Sequence, residues 1–360
     1  MTARGPVMIA AGGTGGHVYP ALAVAEVLRA ASVPVVWLGT RSGLEARVVA
    51  AAGIEMEWLA VGGVRGKGWR TRLRAPLTLA RACGQAWRVL RRRRPRALLG
   101  MGGFAAGPAG LVARLAGCPL IIHEQNAVAG LTNRVLARCA QRVLQAMPAS
   151  FPAAVDAHTV GNPVRAAIAE LAEPSQRFRQ RSGPLRLLVL GGSQGAATLN
   201  RRLPQALAAL PLDRRPEVWH QCGQRHLDDA RAAYADTDLA VTVAPFIEDM
   251  AGAYAWADAV VGRAGAMTVW ELAAAGLGAL LVPFPHAVDQ HQRRNAEWLA
   301  QAGAAEILDE ATADEQRLYA ALAALLSDRG ALLERAQQAR ALARPEAARA
   351  VADTIEEVAR

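Results

Sequence analysis

Residues 58–123 contain no aspartate or glutamate. The same stretch carries thirteen basic side chains: Arg65, Lys67, Arg70, Arg72, Arg74, Arg81, Arg88, Arg91, Arg92, Arg93, Arg94, Arg96 and Arg114. The net charge of +10 therefore belongs to one region, and the remainder is slightly acidic. Cysteine is also scarce. Cys83, Cys118, Cys139 and Cys222 form no C-x-x-C pair and no metal-ligand spacing, which excludes a disulfide framework or zinc module and fits a reducing compartment. Long apolar runs are missing as well. The longest charge-free stretch, residues 97–113, is broken by Gly100, Gly102, Gly103, Gly107, Pro108 and Gly110, so no membrane span is expected. Gly12 to Gly16 interrupt the N-terminal apolar run, so no signal peptide is expected either.

What is present is a 360-residue chain with 52% apolar residues, enough to bury about two cores. A glycine-rich loop occurs twice, as Gly12-Gly13-Thr14-Gly15-Gly16-His17 and as Gly191-Gly192-Ser193-Gln194-Gly195-Ala196. Each follows an apolar run and precedes an Ala/Leu-rich helical pattern, so each predicts a strand, a tight turn and a helix start. Unpaired N–H groups and the positive end of the dipole at a helix N-terminus attract anions, and glycine admits a phosphate close to the backbone.

Short apolar runs alternate with helical stretches throughout, a rhythm that calls for parallel sheets covered on both faces. Six strands are expected in each half, within residues 7–145 and 185–308, giving two doubly wound Rossmann-like α/β domains facing a cleft. The expected boundaries are 1–162 and 163–341, near the break at Gly161-Asn162-Pro163. A last helix within 342–360 is expected to pack back on the first domain.

The usual ligand of such a sheet is a dinucleotide, whose fingerprint wants G-x-G-x-x-G and an acid ending the second strand. Counted from Gly13, the third glycine position is Val18, and the second strand ends Trp37-Leu38-Gly39-Thr40. NAD is disfavoured, and the Walker P-loop is absent. Gly191-Gly192-Ser193-Gln194-Gly195 also matches a nucleophile elbow, with Asp289 and His291 in the chain order of a hydrolase triad. That reading leaves the first loop unexplained, whereas phosphate cradling accounts for both loops.

Several motifs together resemble the MurG family of bacterial cell-wall glycosyltransferases. They are Gly12-Gly13-Thr14-Gly15-Gly16-His17-Val18-Tyr19-Pro20, Met101-Gly102-Gly103-Phe104, His123-Glu124-Gln125-Asn126, Gly161-Asn162-Pro163-Val164-Arg165, Gly191-Gly192-Ser193-Gln194-Gly195-Ala196, Phe246-Ile247-Glu248-Asp249-Met250 and Arg263-Ala264-Gly265-Ala266-Met267-Thr268-Val269-Trp270-Glu271. Asp289-Gln290-His291-Gln292 and Asn295 follow in order. The resemblance implies a B-type glycosyltransferase fold. It also implies an inverting transfer of N-acetylglucosamine from its UDP sugar to the C4 hydroxyl of undecaprenyl-diphosphate-linked N-acetylmuramyl pentapeptide, in peptidoglycan synthesis. The runner-up is a same-fold UDP-sugar transferase acting on another glycolipid or small-molecule acceptor.

On the same resemblance, Thr14, Gly15, Gly16, Asn126, Arg165, Ser193, Asn200, Ile247, Ala266, Met267, Thr268, Val269, Trp270, Glu271 and Gln292 are expected to bind the donor. Ile247 would face uracil through its backbone, Glu271 the ribose hydroxyls, and Arg165 and Ser193 the diphosphate. Thr268-x-x-Glu271 also has the spacing of a capping box, which would hold Glu271 locally instead. Trp270 stands where small residues are common in the family. The reaction needs a base for the acceptor hydroxyl, and His17 and Glu124 are the candidates; an imidazole has a reference pKa near 6.5. No metal ion or cofactor is required by these motifs.

A lipid-linked acceptor supplies a use for the acid-free stretch. Arg65, Lys67, Trp69, Arg72, Leu73, Leu77 and Trp87 mix basic and apolar side chains as a segment resting on anionic lipid would. Nucleic acid would attract the same charge, but no recognition motif for it is found. A solvated arginine-rich helix face is the third possibility. The resulting expectation is a peripheral protein of the cytoplasmic face of the bacterial inner membrane.

Overall fold

The computed structural model describes residues 5–60, 69–191, 196–285, 287 and 290–359, without the side chains of 69–75. Arg65, Lys67, Ser193 and Asp289 lie outside the described residues, as do the side chains of Trp69, Arg72 and Leu73. The chain divides into two compact units, Met1–Arg165 with Arg344–Arg360, and Ala166–Ala343.

The first unit holds a parallel sheet of seven strands: β1 (Val7–Ala10), β2 (Val35–Gly39), β3 (Glu55–Trp58), β4 (Ala97–Gly100), β5 (Leu120–Glu124), β6 (Arg142–Gln145) and β7 (Ala157–Thr159), in the order β3-β2-β1-β4-β5-β6-β7. The inner strand β1 reads Val-Met-Ile-Ala because both faces are covered and neither tolerates a polar residue. Val7 and Ile9 join Trp37, Leu99, Val351 and Ile355 in one core, while Met8 and Ala10 join Leu38, Leu90, Leu98 and Ile122 in the other. Val351 and Ile355 belong to the C-terminal helix Ala347–Val358, which packs on the helix Gly15–Ala30. The seventh strand corrects the expected six. Ala157–Thr159 has no apolar run to announce it, because it lies at the sheet edge, half-buried to exposed, and pairs only with β6.

The second unit repeats the winding with β8 (Arg186–Leu190), β9 (Glu217–Gln221), β10 (Val241–Ala244), β11 (Ala259–Gly262), β12 (Gly278–Leu281) and β13 (Ala305–Ile307), in the order β10-β9-β8-β11-β12-β13. In each sheet the strand order reverses beside the first strand, between β1 and β4 and between β8 and β11. Ligands of doubly wound sheets lie outside the carboxyl ends of the strands at such a reversal. The first glycine loop leaves its sheet at such a point, after β1.

The helix Trp69–Arg93 carries much of the basic stretch. Part of its charge is paired within the unit. Arg92 and Arg93 each place a guanidinium nitrogen 2.6 Å from the Glu57 carboxylate, and Arg96 pairs with Glu356. Exposed apolar side chains accompany the charge: Leu77 and Leu79 on this helix are exposed, Leu77 to 74%, and Leu115, just after the helix Gly103–Ala113, is 75% exposed. Among the described residues, no helix is long and apolar enough to cross a membrane.

Candidate active site

In the first unit the site forms where β1, β4 and β5 end. Gly103 has a positive φ of 79°, and a Cβ there would overlap the Gly12 carbonyl, so the loops after β1 and β4 meet backbone to backbone. Gly102 (φ 92°) performs a second service. A Cβ on it would stand 2.8 Å from His17 Cδ2 and 3.0 Å from Nε2, so the imidazole packs against a position that must lack a side chain.

Thr14 is the N-cap of the helix Gly15–Ala30 in extended geometry, and its carbonyl accepts from the His17 and Val18 N–H groups. Its hydroxyl does not cap the helix. Instead, Thr14 Oγ1 lies 3.3 Å from His17 Nδ1. Imidazole orientation is thus fixed by a hydroxyl on one side and a glycine on the other, with the ring half-buried. Two residues further along the helix, Tyr19 lies under the Arg165 guanidinium, 5.0 Å from carbon to ring centroid. A Cβ on Gly15 would touch the same ring at 3.0 Å. Arg165, the first glycine loop and His17 are therefore neighbours within one unit.

Glu124 behaves differently. It is buried, and its oxygens accept four hydrogen bonds: Oε1 from the Asn126 N–H and Nδ2, both at 3.0 Å, and Oε2 from the Gly130 N–H at 3.1 Å and Asn133 Nδ2 at 2.8 Å. Four donors occupy most of what a carboxylate can accept. Asn126 is held by this clamp, and Ser150 Oγ donates to its carbonyl. Next to it, His123 is fully buried with Nε2 2.9 Å from the Gly161 carbonyl, and burial pushes its pKa down to about 4. The neutral ring donates from Nε2 and ties the end of β5 to the segment that leads to Arg165.

In the second unit, the helix Ala266–Ala275 begins after the N-cap Gly265 at the end of β11. Its first-turn N–H groups supply an anion-friendly terminus. Thr268 is the third residue of the helix and not its N-cap, which removes the capping-box explanation for Glu271. The buried Glu271 carboxylate instead accepts the Tyr254 hydroxyl at 3.0 Å on Oε2. Trp270 is accommodated by a tilted stack on Trp298, with ring centroids 4.4 Å apart. Ile247 is buried in the irregular stretch between β10 and the helix Met250–Trp256, which Asp249 caps by accepting the Gly252 N–H at 2.8 Å. Gln292 Oε1 accepts the Phe284 N–H at 2.9 Å, and Asn295 Nδ2 donates to the Ala264 carbonyl at 3.1 Å.

Two polar groups of the donor motifs are engaged inward. Arg263 makes a two-pronged pair with Glu310, at 2.9 and 3.0 Å, and so braces the segment before the helix. Asn200, expected beside the sugar, is buried and uses both ends of its amide: Nδ2 donates to the Cys222 carbonyl at 3.0 Å, and Oδ1 lies 3.1 Å from His220 Nε2. His220 Nδ1 in turn lies 3.0 Å from the Tyr234 hydroxyl, and burial pushes the His220 pKa down to about 4. Because Asn200 Oδ1 can only accept, the neutral imidazole carries its proton on Nε2 and accepts the Tyr234 O–H at Nδ1. Tyr254 and Asn133 are contributors outside the motifs, and Tyr19 stands in the first motif with no role expected of it. Among the described residues, no cluster of His, Cys, Asp or Glu has the makings of a metal site.

Comparison with known proteins agrees with this layout. Residues 7–145 match the glycosyltransferase family 28 N-terminal domain and residues 186–356 the family 28 C-terminal domain. A protein of Halorhodospira halophila named UDP-N-acetylglucosamine–N-acetylmuramyl-(pentapeptide) pyrophosphoryl-undecaprenol N-acetylglucosamine transferase is 57% identical over 356 residues, covering 98% of both chains. A protein of the same name from Nitrosococcus oceani is 54% identical over 353 residues, again covering 98% of each. Among solved structures, Acinetobacter baumannii MurG superposes with a TM-score of 0.84 at 42% identity, over 98% of this chain and 99% of that one. The glycosyltransferase of kitacinnamycin shares the fold at a TM-score of 0.75 and 20% identity, over 99% and 100%. With both family models matched and full-length relatives above half identity, the chain belongs to glycosyltransferase family 28 and, within it, to the MurG family.

Proposed function

We propose that this chain transfers N-acetylglucosamine from UDP-N-acetylglucosamine to the C4 hydroxyl of undecaprenyl-diphosphate-linked N-acetylmuramyl pentapeptide, forming the disaccharide lipid of peptidoglycan synthesis. The observation that carries the reading is the placement of His17: an imidazole oriented by Thr14, at the carboxyl ends of β1 and β4, beside Arg165.

His17 takes the proton of the attacking hydroxyl as its oxygen bonds to the sugar C1. The C1–O bond to UDP breaks on the opposite face, UDP leaves with the electron pair, and the configuration inverts. The charge that develops on the diphosphate is met by Arg165 and by the second glycine loop with Ser193. Thr14, Gly15 and Gly16 stand in the same unit as Arg165, on the turn that opens the helix carrying Tyr19, and Asn126 is aligned by Glu124 for the sugar hydroxyls. Glu124 clamps its loop through the four hydrogen bonds its oxygens accept, which favours His17 over it as the base. Ile247 presents backbone groups to uracil. Glu271, with one oxygen engaged by Tyr254, accepts from the ribose, while Gln292 and the helix start Ala266, Met267 and Thr268 complete the donor's surroundings. Val269 and Trp270 act behind them as packing.

The acceptor sits in a bilayer, and the protein meets it as a peripheral protein at the cytoplasmic face of the inner membrane. Exposed Leu77, Leu79 and Leu115 supply apolar contact, and the unpaired part of the arginine excess, with Arg65, Lys67, Trp69, Arg72, Leu73 and Trp87, faces anionic headgroups. Incubation with labelled UDP-N-acetylglucosamine and the undecaprenyl-linked acceptor tests the proposal. Label in a disaccharide lipid supports it; UDP release without such a product points to another acceptor.

A further inference from the structure

Glu45 opens the helix Glu45–Ala51 and is fully buried. Glutamate is rarely buried without partners, and here three neutral donors meet its two oxygens. Oε2 accepts the Gly13 N–H at 3.0 Å. Oε1 accepts the Thr40 N–H at 2.9 Å and the Thr40 hydroxyl at 2.7 Å. Glycines from three segments close around the side chain. A Cβ on Gly12 would stand 2.5 Å from Oε1, one on Gly39 would stand 2.8 Å from Cγ, and one on Gly43 would overlap the carboxylate. An apolar side chain would fill such a space at lower desolvation cost. What only an acceptor does there is take the Gly13 amide.

That amide immediately precedes Thr14, whose carbonyl and hydroxyl hold His17. Fixing Gly13, at φ 95°, therefore fixes the peptide from which the imidazole is hung. Taking the amide has a second effect. A glycine loop cradles phosphate through open N–H groups, and here the Gly13 group is already used by a buried carboxylate. The geometry points to Glu45 as a positioning residue of the transfer: it holds the Gly13–Thr14 turn that aims His17, and it takes the Gly13 N–H out of any phosphate cradle the turn forms. The inference rests on His17 as the base.

The full-length chain with Glu45→Gln tests it. An amide oxygen serves only one of the two sides, so either Gly13 or Thr40 meets an NH2 group instead of an acceptor. The kcat is expected to fall roughly tenfold or more, because a small misplacement of the base is costly. The KM for UDP-N-acetylglucosamine changes less than kcat does, by no more than about threefold, since Arg165, Ile247, Glu271 and Gln292 hold the donor without this turn. Amide hydrogen exchange in the peptide spanning Gly13 rises, and combining Glu45→Gln with His17→Ala gives no further loss beyond His17→Ala alone. An unchanged kcat, an unchanged exchange rate, or losses that multiply in the double variant would overturn the inference. If Glu45→Gln does not fold, Thr40→Ala removes one donor and leaves the carboxylate. It then predicts a smaller kcat loss, again absent in the His17→Ala background, and no loss at all would overturn the inference equally. An active His17→Ala enzyme refutes the base and not the anchor, which is then judged on the Glu45→Gln exchange and kcat.

Discussion

The Arg165 guanidinium lies 5.0 Å over the Tyr19 ring, two residues beyond His17 on the same helix. A planar cation stacked on an aromatic face loses little freedom on meeting a diphosphate, and lysine cannot reproduce either the stack or the fork. Arg165→Lys is expected to raise the KM for UDP-N-acetylglucosamine about tenfold and lower kcat as well. Tyr19→Ala gives the same direction with a smaller size. Initial-rate kinetics over a donor series checks both.

The Tyr254 hydroxyl donates to Glu271 and touches no proposed substrate atom. Tyr254→Phe removes one hydrogen bond that orients the Glu271 carboxyl group, and a few-fold loss of donor affinity follows from its looser placement. The expected outcome is a higher KM for the UDP sugar at nearly constant kcat. A parallel series with 2′-deoxy-UDP sugar should show a smaller effect of the substitution.

His123 and His220 are both buried with pKa values pushed down to about 4, against about 6.5 in an unfolded chain. Each is neutral in the folded state, so above pH 6.5 neither affects stability. As pH falls from about 6.5 towards 4 the unfolded chain binds protons that the folded chain refuses, and stability falls across that window. Denaturant midpoints at pH 7 and pH 5 should differ accordingly. His220→Gln should reduce the pH dependence of unfolding at pH 5 by close to one proton.

Leu77 and Leu115 are about three-quarters exposed on a unit that holds an excess of arginine. Binding to vesicles containing anionic lipid should weaken with salt and in purely zwitterionic vesicles. Leu77→Glu with Leu115→Glu should weaken it further, without altering UDP-sugar affinity. Flotation with and without the anionic lipid reads the effect.

The doubly wound sheets and the tight turn after β1 were legible because their signals are local. A strand covered on both faces must be apolar along its length, and a loop pressed backbone to backbone must be glycine. The partners that hold the site were not, because they arrive from afar: Glu45 is 32 residues from Gly13, and Tyr254 is 17 from Glu271. A signal for Glu45 did exist. A dinucleotide fold would place an acid at the end of β2, and none stands there; the acid comes a few residues later, after Gly43, and turns inward. Thr268-x-x-Glu271 left a capping box open beside the ribose reading, since spacing alone cannot say that Gly265 starts the helix. The resemblance places Asn200 near the sugar, and sequence could not announce that its amide also reaches His220 and Cys222, some twenty residues away.

The central claim is that His17 drives transfer of the sugar to the lipid-linked acceptor. The direct measurement follows label from UDP-N-acetylglucosamine into lipid, comparing the native chain with His17→Ala and monitoring donor binding by calorimetry. The account predicts a labelled disaccharide lipid from the native chain. It predicts a rate lower by about 100-fold or more in the variant, with donor affinity nearly unchanged. An equally active His17→Ala chain, or a native chain that releases UDP and labels no lipid, would contradict it.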